Sequence, residues 1–299
     1  MTAQPLTPQA FLTLLAVACL FGANHVAARV ALDHGMDVAT AVAVRSLATA
    51  FVVAGLAVLA DVPWRLAPRH RRAMPAIGLL VGVQSLCLYS AVARIPVGLA
   101  LLAFNTYPLW TALAAWLLYR HRPERAVLVA MPVILVGLAL ALDAGGASSG
   151  LGARAQWAQI GAGVGFAVAA AAVFGLALVL TQHEAADLDG RVRTALTMAI
   201  VGTLALAGAL AQDGLRWPTA PAGWWGLAVL SLFYGTAITT AFTLLPRLGV
   251  VANSPVLNVE PVAALLMAWV VLGQAVSPTQ VIGALLVVGA VMGLALRRR

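Results

Sequence analysis

Apolar residues along this chain gather into ten long runs separated by short polar links. Each run approaches or exceeds the roughly 20 residues that an α-helix needs to cross a hydrocarbon layer about 30 Å thick. The pattern predicts helices over residues 10–31, 38–60, 73–93, 97–119, 126–143, 158–181, 192–211, 222–244, 250–272 and 279–296. The first run has no basic stretch ahead of it and is too long for the apolar part of a signal peptide, so it reads as a membrane helix.

Two of the runs are copies of one another. Arg94 to Trp116 reads RIPVGLALLAFNTYPLWTALAAW, and Arg247 to Trp269 reads RLGVVANSPVLNVEPVAALLMAW. Arg94 falls on Arg247, Asn105 on Asn258, Pro108 on Pro261 and Trp116 on Trp269, all at an offset of 153 residues. A proline ring removes one helical hydrogen bond and crowds the carbonyl four residues back, here that of Phe104 or Leu257. In lipid such a break is tolerated only where protein or a wet cavity faces it. Matching breaks in two halves of a membrane protein point to a transport site.

Phe21-Gly22 and Phe174-Gly175 share the same offset, and Val44-Arg45-Ser46 resembles Val192-Arg193-Thr194. The polar, glycine-rich link from Asp143 to Gln156 separates five predicted helices from five. The expected organisation is therefore an all-α integral membrane protein of ten transmembrane helices, in two repeats covering residues 1–150 and 151–299. An odd number of spans per repeat turns the second upside down, giving an inverted repeat.

Composition agrees with this class: 62% of residues are hydrophobic and 9% charged, against roughly 45–50% and 25% in soluble domains. The net charge of +8 comes entirely from arginine. A basic balance could signal nucleic acid, but the arginines lie in short links rather than in a groove interleaved with aromatics, so no nucleic-acid partner is expected. If the N-terminus is inside, inner links and the tail hold thirteen arginines, Arg65 and Arg69 among them, against Arg29, Arg94, Arg154 and Arg216 outside. That bias places both termini in the cytoplasm. Cys19 and Cys87 lie within apolar runs and read as buried thiols.

The five-plus-five duplication, the arginine entering the second helix, the proline-centred fourth and ninth helices and the closing glycine-patterned helix from Gln280 through Gly289 and Gly293 carry a resemblance. By these features the chain is similar to the drug/metabolite transporter superfamily, in particular to ten-helix exporters built from two EamA-type repeats. The resemblance implies efflux across a bacterial inner membrane, with exporters of amino acids and related metabolites, aromatic amino acids included, as the nearest in character. Many members carry a glutamate where the fourth and ninth helices end. Here those places read Tyr119-Arg120-His121-Arg122 and Leu272-Gly273-Gln274.

Polar groups deep in a bilayer are costly and mark candidate sites. Glu260, just before Pro261, is either a carboxylate facing a cavity or an acid satisfying the broken backbone. Asn24 and His25 sit midway along the first helix, Ser85 and Tyr89 one turn apart on the third, and Asn105 and Asn258 beside the two prolines. Tyr107 and Trp110, about 60° apart around the helix axis, share a face. These nine residues form the expected substrate site, with Pro108 and Pro261 breaking the helices. Arg45 is expected to snorkel to the outer interface or to pair within the fold. Gly78 with Gly82, Gly161 with Gly165 and Gly289 with Gly293 should admit close helix approach, and the fifth and tenth helices, nearly free of polar residues, offer a face for a homodimer.

No phosphate-binding loop, hydrolase motif or metal-ligand spacing is present, so neither an enzyme nor a cofactor or metal is expected. The expected partners are the lipid bilayer and a small-molecule substrate: small neutral or aromatic amino acids and their relatives, exported by a secondary transporter. Efflux of lipophilic cations, held by Glu260 with Tyr107 and Trp110, is one alternative. A non-transporting scaffold or receptor is another. The arginine bias yields a test: with Cys19 and Cys87 replaced, a cysteine at Ser148 should react with an impermeant reagent from outside intact cells, and one at Pro68 only from inside. Reversed labelling would overturn the orientation.

Overall fold

Each polar link acts as a helix stop or start. Asp37 closes the turn before the second helix by accepting a hydrogen bond from Thr40 N at 2.5 Å, and Asp189 does the same for Arg191 N at 2.8 Å. Such side chains satisfy amide groups that the first helical turn leaves open. The structure, a computed structural model, describes residues 8–121, 125–147, 149–248, 259–274 and 277–297. Its helices are α1 (Pro8–Asp33), α2 (Val38–Leu59), α3 (Pro68–Arg94), α4 (Val97–Phe104), α5 (Tyr107–Tyr119) and α6 (Arg125–Ala141). They continue with α7 (Ala153–Glu184), α8 (Gly190–Leu210), α9 (Pro221–Leu248), α10 (Glu260–Leu272) and α11 (Pro278–Arg297).

Among the described residues, seven segments are long and apolar enough to cross a membrane: α1, α2, α3, the α4–α5 pair, α7, α8 and the Pro221–Thr240 part of α9. Apolar helices in Val127–Ala141, Glu260–Leu272 and Pro278–Gly293 are shorter. The predicted boundaries hold within a few residues, except that the fourth predicted helix is two helices. Residues 250–258 of the ninth, Asn258 among them, lie outside the described residues. Large apolar side chains such as Phe51, Leu59, Trp225 and Val270 cover the outer surface, as lipid contact requires. Seven of the eight tryptophans, all but Trp110, stand toward helix ends, where their amphipathic rings suit the membrane interface.

Helix packing follows the duplication. Counting α4 and α5 as one segment, each helix of the first half has a counterpart five segments later, and the extensive contacts come in matching sets. The α3–α7 contact mirrors α1–α9, α5–α7 mirrors α1–α10, and α3–α8 mirrors α2–α9. The α2–α8 and α6–α11 contacts each join a helix to its own counterpart. Glycines permit these crossings. A Cβ on Gly22 would stand 2.9 Å from Ala264 N, and one on Gly175 would stand 2.6 Å from Thr111 N. Gly22 and Gly175, like Thr111 and Ala264, are 153 residues apart, so one contact is built twice. Gly137 and Gly283 likewise bring α6 and α11 to backbone contact.

The expected glycine pairs divide. Gly78 and Gly82 do receive Ile200 and Leu204 of α8. Gly165, Gly289 and Gly293 meet nothing within 4 Å among the described residues, and Gly161 only Trp157 of its own helix. Glycine spacing alone does not select a packed face, because the other helix must also present its backbone or a side chain that fits.

The two ends of the bundle are tied differently. At the end holding the α1–α2 turn, Thr219 N and Oγ1 donate to His34 O at 2.9 and 3.1 Å, Arg216 N donates to Thr40 Oγ1 at 3.0 Å, and Arg29 Nη1 donates to Val92 O at 2.7 Å. At the opposite end, Asp187 in the α7–α8 link meets His70 Nε2 at 3.1 Å and Arg69 Nη2 at 2.5 Å, both near the start of α3. His70 first and then Arg69 hold the Asp187 carboxyl down to about 2, below its usual 3.8.

A depressed folded-state pKa contributes stability that is present above pH 3.8 and lost as the pH falls to about 2. Asp187→Asn should therefore melt below the unchanged chain at pH 7 in detergent, with the two converging between about pH 4 and 2; curves that stay parallel would assign the difference to something other than ionisation. A second measurement concerns the crossings. Gly175→Val should destabilise by on the order of 1–3 kcal/mol through overpacking, whereas Gly289→Ala, with open space around it, should leave the melting temperature unchanged.

Candidate functional site

The break in the fourth segment is complete. α4 ends at Phe104, and Asn105 and Thr106 fold their side chains back onto its last turn: Asn105 Nδ2 donates to Leu101 O and Thr106 Oγ1 to Ala103 O, each at 2.8 Å, onto carbonyls that also accept the main-chain N–H of the same residues. α5 then begins at Tyr107 with Pro108 at its second position. The expectation that Pro108 itself interrupts the helix is corrected. The interruption lies at Asn105-Thr106, and the proline occupies a first-turn position where its missing N–H leaves no bond unmade. Pro261 stands in the same place in α10, which begins at Glu260. Tyr107 and Glu260 are thus equivalent first residues of two half-helices starting inside the bundle.

Both face one cavity of about 450 Å³. The expected residues His25, Ser85, Tyr89, Asn105, Tyr107, Glu260 and Pro261 line it. Phe104, Tyr107 and Phe174 form an aromatic wall with ring centroids 5.3–5.7 Å apart, and Phe21 meets Tyr234 edge-on at 6.1 Å. From Tyr89, Glu260 and Arg45 the cavity extends past Thr181 to Arg193 and Thr194, toward the Asp187 end.

Two polar clusters stand against this apolar lining. His25 Nε2 lies 3.3 Å from Glu260 Oε1, while His25 Nδ1 is buried without a hydrogen-bond partner. That geometry calls for the proton on Nε2. Glu260 also sits in the first turn of α10, where the helix dipole favours negative charge. In the second cluster Arg45, only 2% exposed, donates from Nη1 to Tyr89 Oη at 3.0 Å and from Nη2 to Ser85 Oγ at 3.3 Å. Its guanidinium carbon lies 3.9 Å from the Tyr234 ring centre and 4.9 Å from that of Tyr89. Tyr89 Oη in turn donates a hydrogen bond to Asn24 Oδ1 at 2.8 Å, and Asn24 Nδ2 donates to Phe21 O.

Arg45 therefore pairs within the fold and does not snorkel. A buried arginine is costly in a membrane helix, and the tyrosine, serine and ring contacts offset that cost in part. Neither expected role, snorkelling or pairing, included its place in the cavity wall. Asn24, buried at 0% exposure, orients Tyr89 rather than lining the cavity. Trp110 does not line it either: its backbone and Cβ are pressed against Gly175 of α7, and the 60° between Tyr107 and Trp110 suffices to turn the second ring away. Phe21, Phe174, Tyr234 and Arg193 were absent from the expected site. The Phe-Gly pairs were legible as markers of the repeat, and Arg193 as a link residue, though it is the fourth residue of α8 and also donates to Ala185 O at 3.1 Å. Among the described residues no group of three or more histidine, cysteine or acidic side chains could hold a metal ion.

A paired-repeat helical fold with a central cavity defines the class of small-solute membrane transporters. The chain belongs to the EamA-like transporter family, which matches it twice, over residues 9–142 and 161–296. It is a multi-pass membrane protein. No curated protein matches it. A solved structure titled only "Crystal structure of protein" is 20% identical with a TM-score of 0.63, over 98% of this chain and 99% of that one. That likeness concerns the fold.

Proposed function

We propose that this chain is a secondary transporter that exports small neutral or aromatic amino acids and related metabolites across a bacterial inner membrane. In this reading ten spans form two inverted repeats, residues 1–150 and 151–299, with both termini cytoplasmic. The supporting observation is that Tyr107 and Glu260, equivalent first residues of two half-helices, face one cavity of about 450 Å³, within the roughly 300–1,000 Å³ typical of small-molecule sites. The aromatic wall of Phe104, Tyr107 and Phe174 suits an apolar side chain, and Glu260 with His25 suits an amino group. The resemblance of the sequence to ten-helix exporters built from two EamA-type repeats points the same way.

Efflux of lipophilic cations draws on the same carboxylate and rings. Arg45 in the same cavity wall weighs against it, because a like charge is poorly screened where water is scarce. A scaffold or receptor role predicts no flux at all. Purified protein in lipid vesicles should support counter-flow of labelled phenylalanine or leucine that unlabelled amino acids suppress and tetraphenylphosphonium does not. Glu260→Gln should fold but lower that flux on the order of tenfold and flatten its pH dependence, with Glu260→Asp in between. Flux of the cation alone, or a Glu260→Gln protein with unaltered rate and pH profile, would sink this reading.

A further inference from the structure

We infer that Arg45 is the carboxylate receptor of the cavity, so that the substrate must carry a free carboxylate group. The inference rests on the transport reading above and names the anionic pole of the same site. Arg45 is 2% exposed yet forms part of the cavity wall, and all its hydrogen-bond partners are neutral: Tyr89 Oη, Ser85 Oγ and Ser46 Oγ. Among the described residues no carboxylate lies within 4 Å of it, since each ion pair found involves other groups. A buried guanidinium surrounded by hydroxyls and rings is solvated by dipoles but lacks a counter-charge, and buried charges are ordinarily paired.

The pattern of its contacts also shows which edge is least engaged. Nη1 holds the 3.0 Å bond to Tyr89, Nη2 has only contacts of 3.3 and 3.4 Å, and Nε has no partner. Nε and Nη2 form the edge that grips a carboxylate with two parallel hydrogen bonds. Nε is itself shut off by packing, so in this arrangement Nη2 is the nitrogen open to a carboxylate, and a two-pronged grip requires the side chain to shift. Tyr89 stands between this pole and the other: its ring lies 5.6 Å from that of His25, which faces Glu260. A zwitterion would thus meet a cation and a carboxylate on either side of one tyrosine, with its side chain against the aromatic wall. Arg45, Ser85 and Tyr89 come from the first half of the chain, and Tyr234 over the guanidinium from the second, so an anion seated here would touch elements of both.

The test separates this inference from the amino-acid reading. Thermal stabilisation of detergent-purified protein is measured with L-phenylalanine, L-phenylalaninamide, phenylacetate and phenethylamine, in the unchanged chain and in Arg45→Gln and Arg45→Lys. Phenylalanine and phenylacetate should stabilise the unchanged chain, while the amide and the amine should bind on the order of a hundredfold more weakly. Arg45→Gln should lose the preference, and Arg45→Lys, which keeps the charge but not the fork, should retain part of it. Binding of phenylacetate without transport of any amino acid would uphold Arg45 and defeat the amino-acid reading. Equal binding of phenylalanine and its amide by the unchanged chain, or failure of both carboxylates to bind, would overturn the inference whether or not the variants fold.

Discussion

A helix that stops inside a bilayer leaves peptide carbonyls and amides with no water to take them, and that constraint organises this molecule. At the end of α4 the carbonyls of Leu101 and Ala103 each accept two bonds, one from a main-chain amide and one from the side chain of Asn105 or Thr106, so the last turn is closed locally. At the start of α5 and α10, proline at the second position removes an amide that would otherwise need an acceptor. Once the backbone is satisfied locally, the half-helix beginnings are free to present side chains to a cavity. Tyr107 and Glu260 occupy the same place in the repeat but differ in chemistry, so a symmetric scaffold holds an asymmetric site.

That scaffold works because the halves embrace rather than sit side by side. α1 packs on α10, and α7 packs on α5. Each half therefore supports the inner helix start of the other, through Gly22 against α10 and Gly175 against α5. Close backbone approach at these two points fixes where the half-helices begin and hence where their first residues face. The left-handed caps that end α5 and α10 repeat as well, at Arg120 with φ +57° and Gly273 with φ +64°. The first of these asks a non-glycine residue to accept a conformation that its counterpart adopts freely.

Much of the helical layout was legible in the sequence because apolar run length answers directly to the thickness of the hydrocarbon layer. The deep polar residues were legible for a related reason: His25, Ser85, Tyr89 and Glu260 are expensive where they stand, and all four line the cavity. Legibility failed where one residue type serves two purposes. Pro108 can break a helix or begin one, and the difference lay in the capping chemistry of Asn105 and Thr106. Arg45, near the start of α2, could reach the interface or turn inward, and Tyr89, 44 positions away, decided the matter. Phe21 and Phe174 were visible as a pair, but no one-dimensional pattern distinguishes a ring that packs from a ring that faces empty space.

The unlike fastenings at the two ends of the bundle bear on how a transporter of this family would change access. One end is laced by main-chain bonds from Thr219 and Arg216 to the α1–α2 region, and the other by half-exposed charges at Arg69 and Asp187. Dissolved ions weaken exposed charge pairs and act far less on hydrogen bonds between neutral groups. If the two ends open in turn, the Asp187 end would respond more to ionic strength, and the Thr219 end more to whatever competes for amide groups. A cycle gated in this way has two separately adjustable halves, and a change in salt on the Asp187 side alone would alter the time the cavity spends facing each compartment without touching the cavity itself.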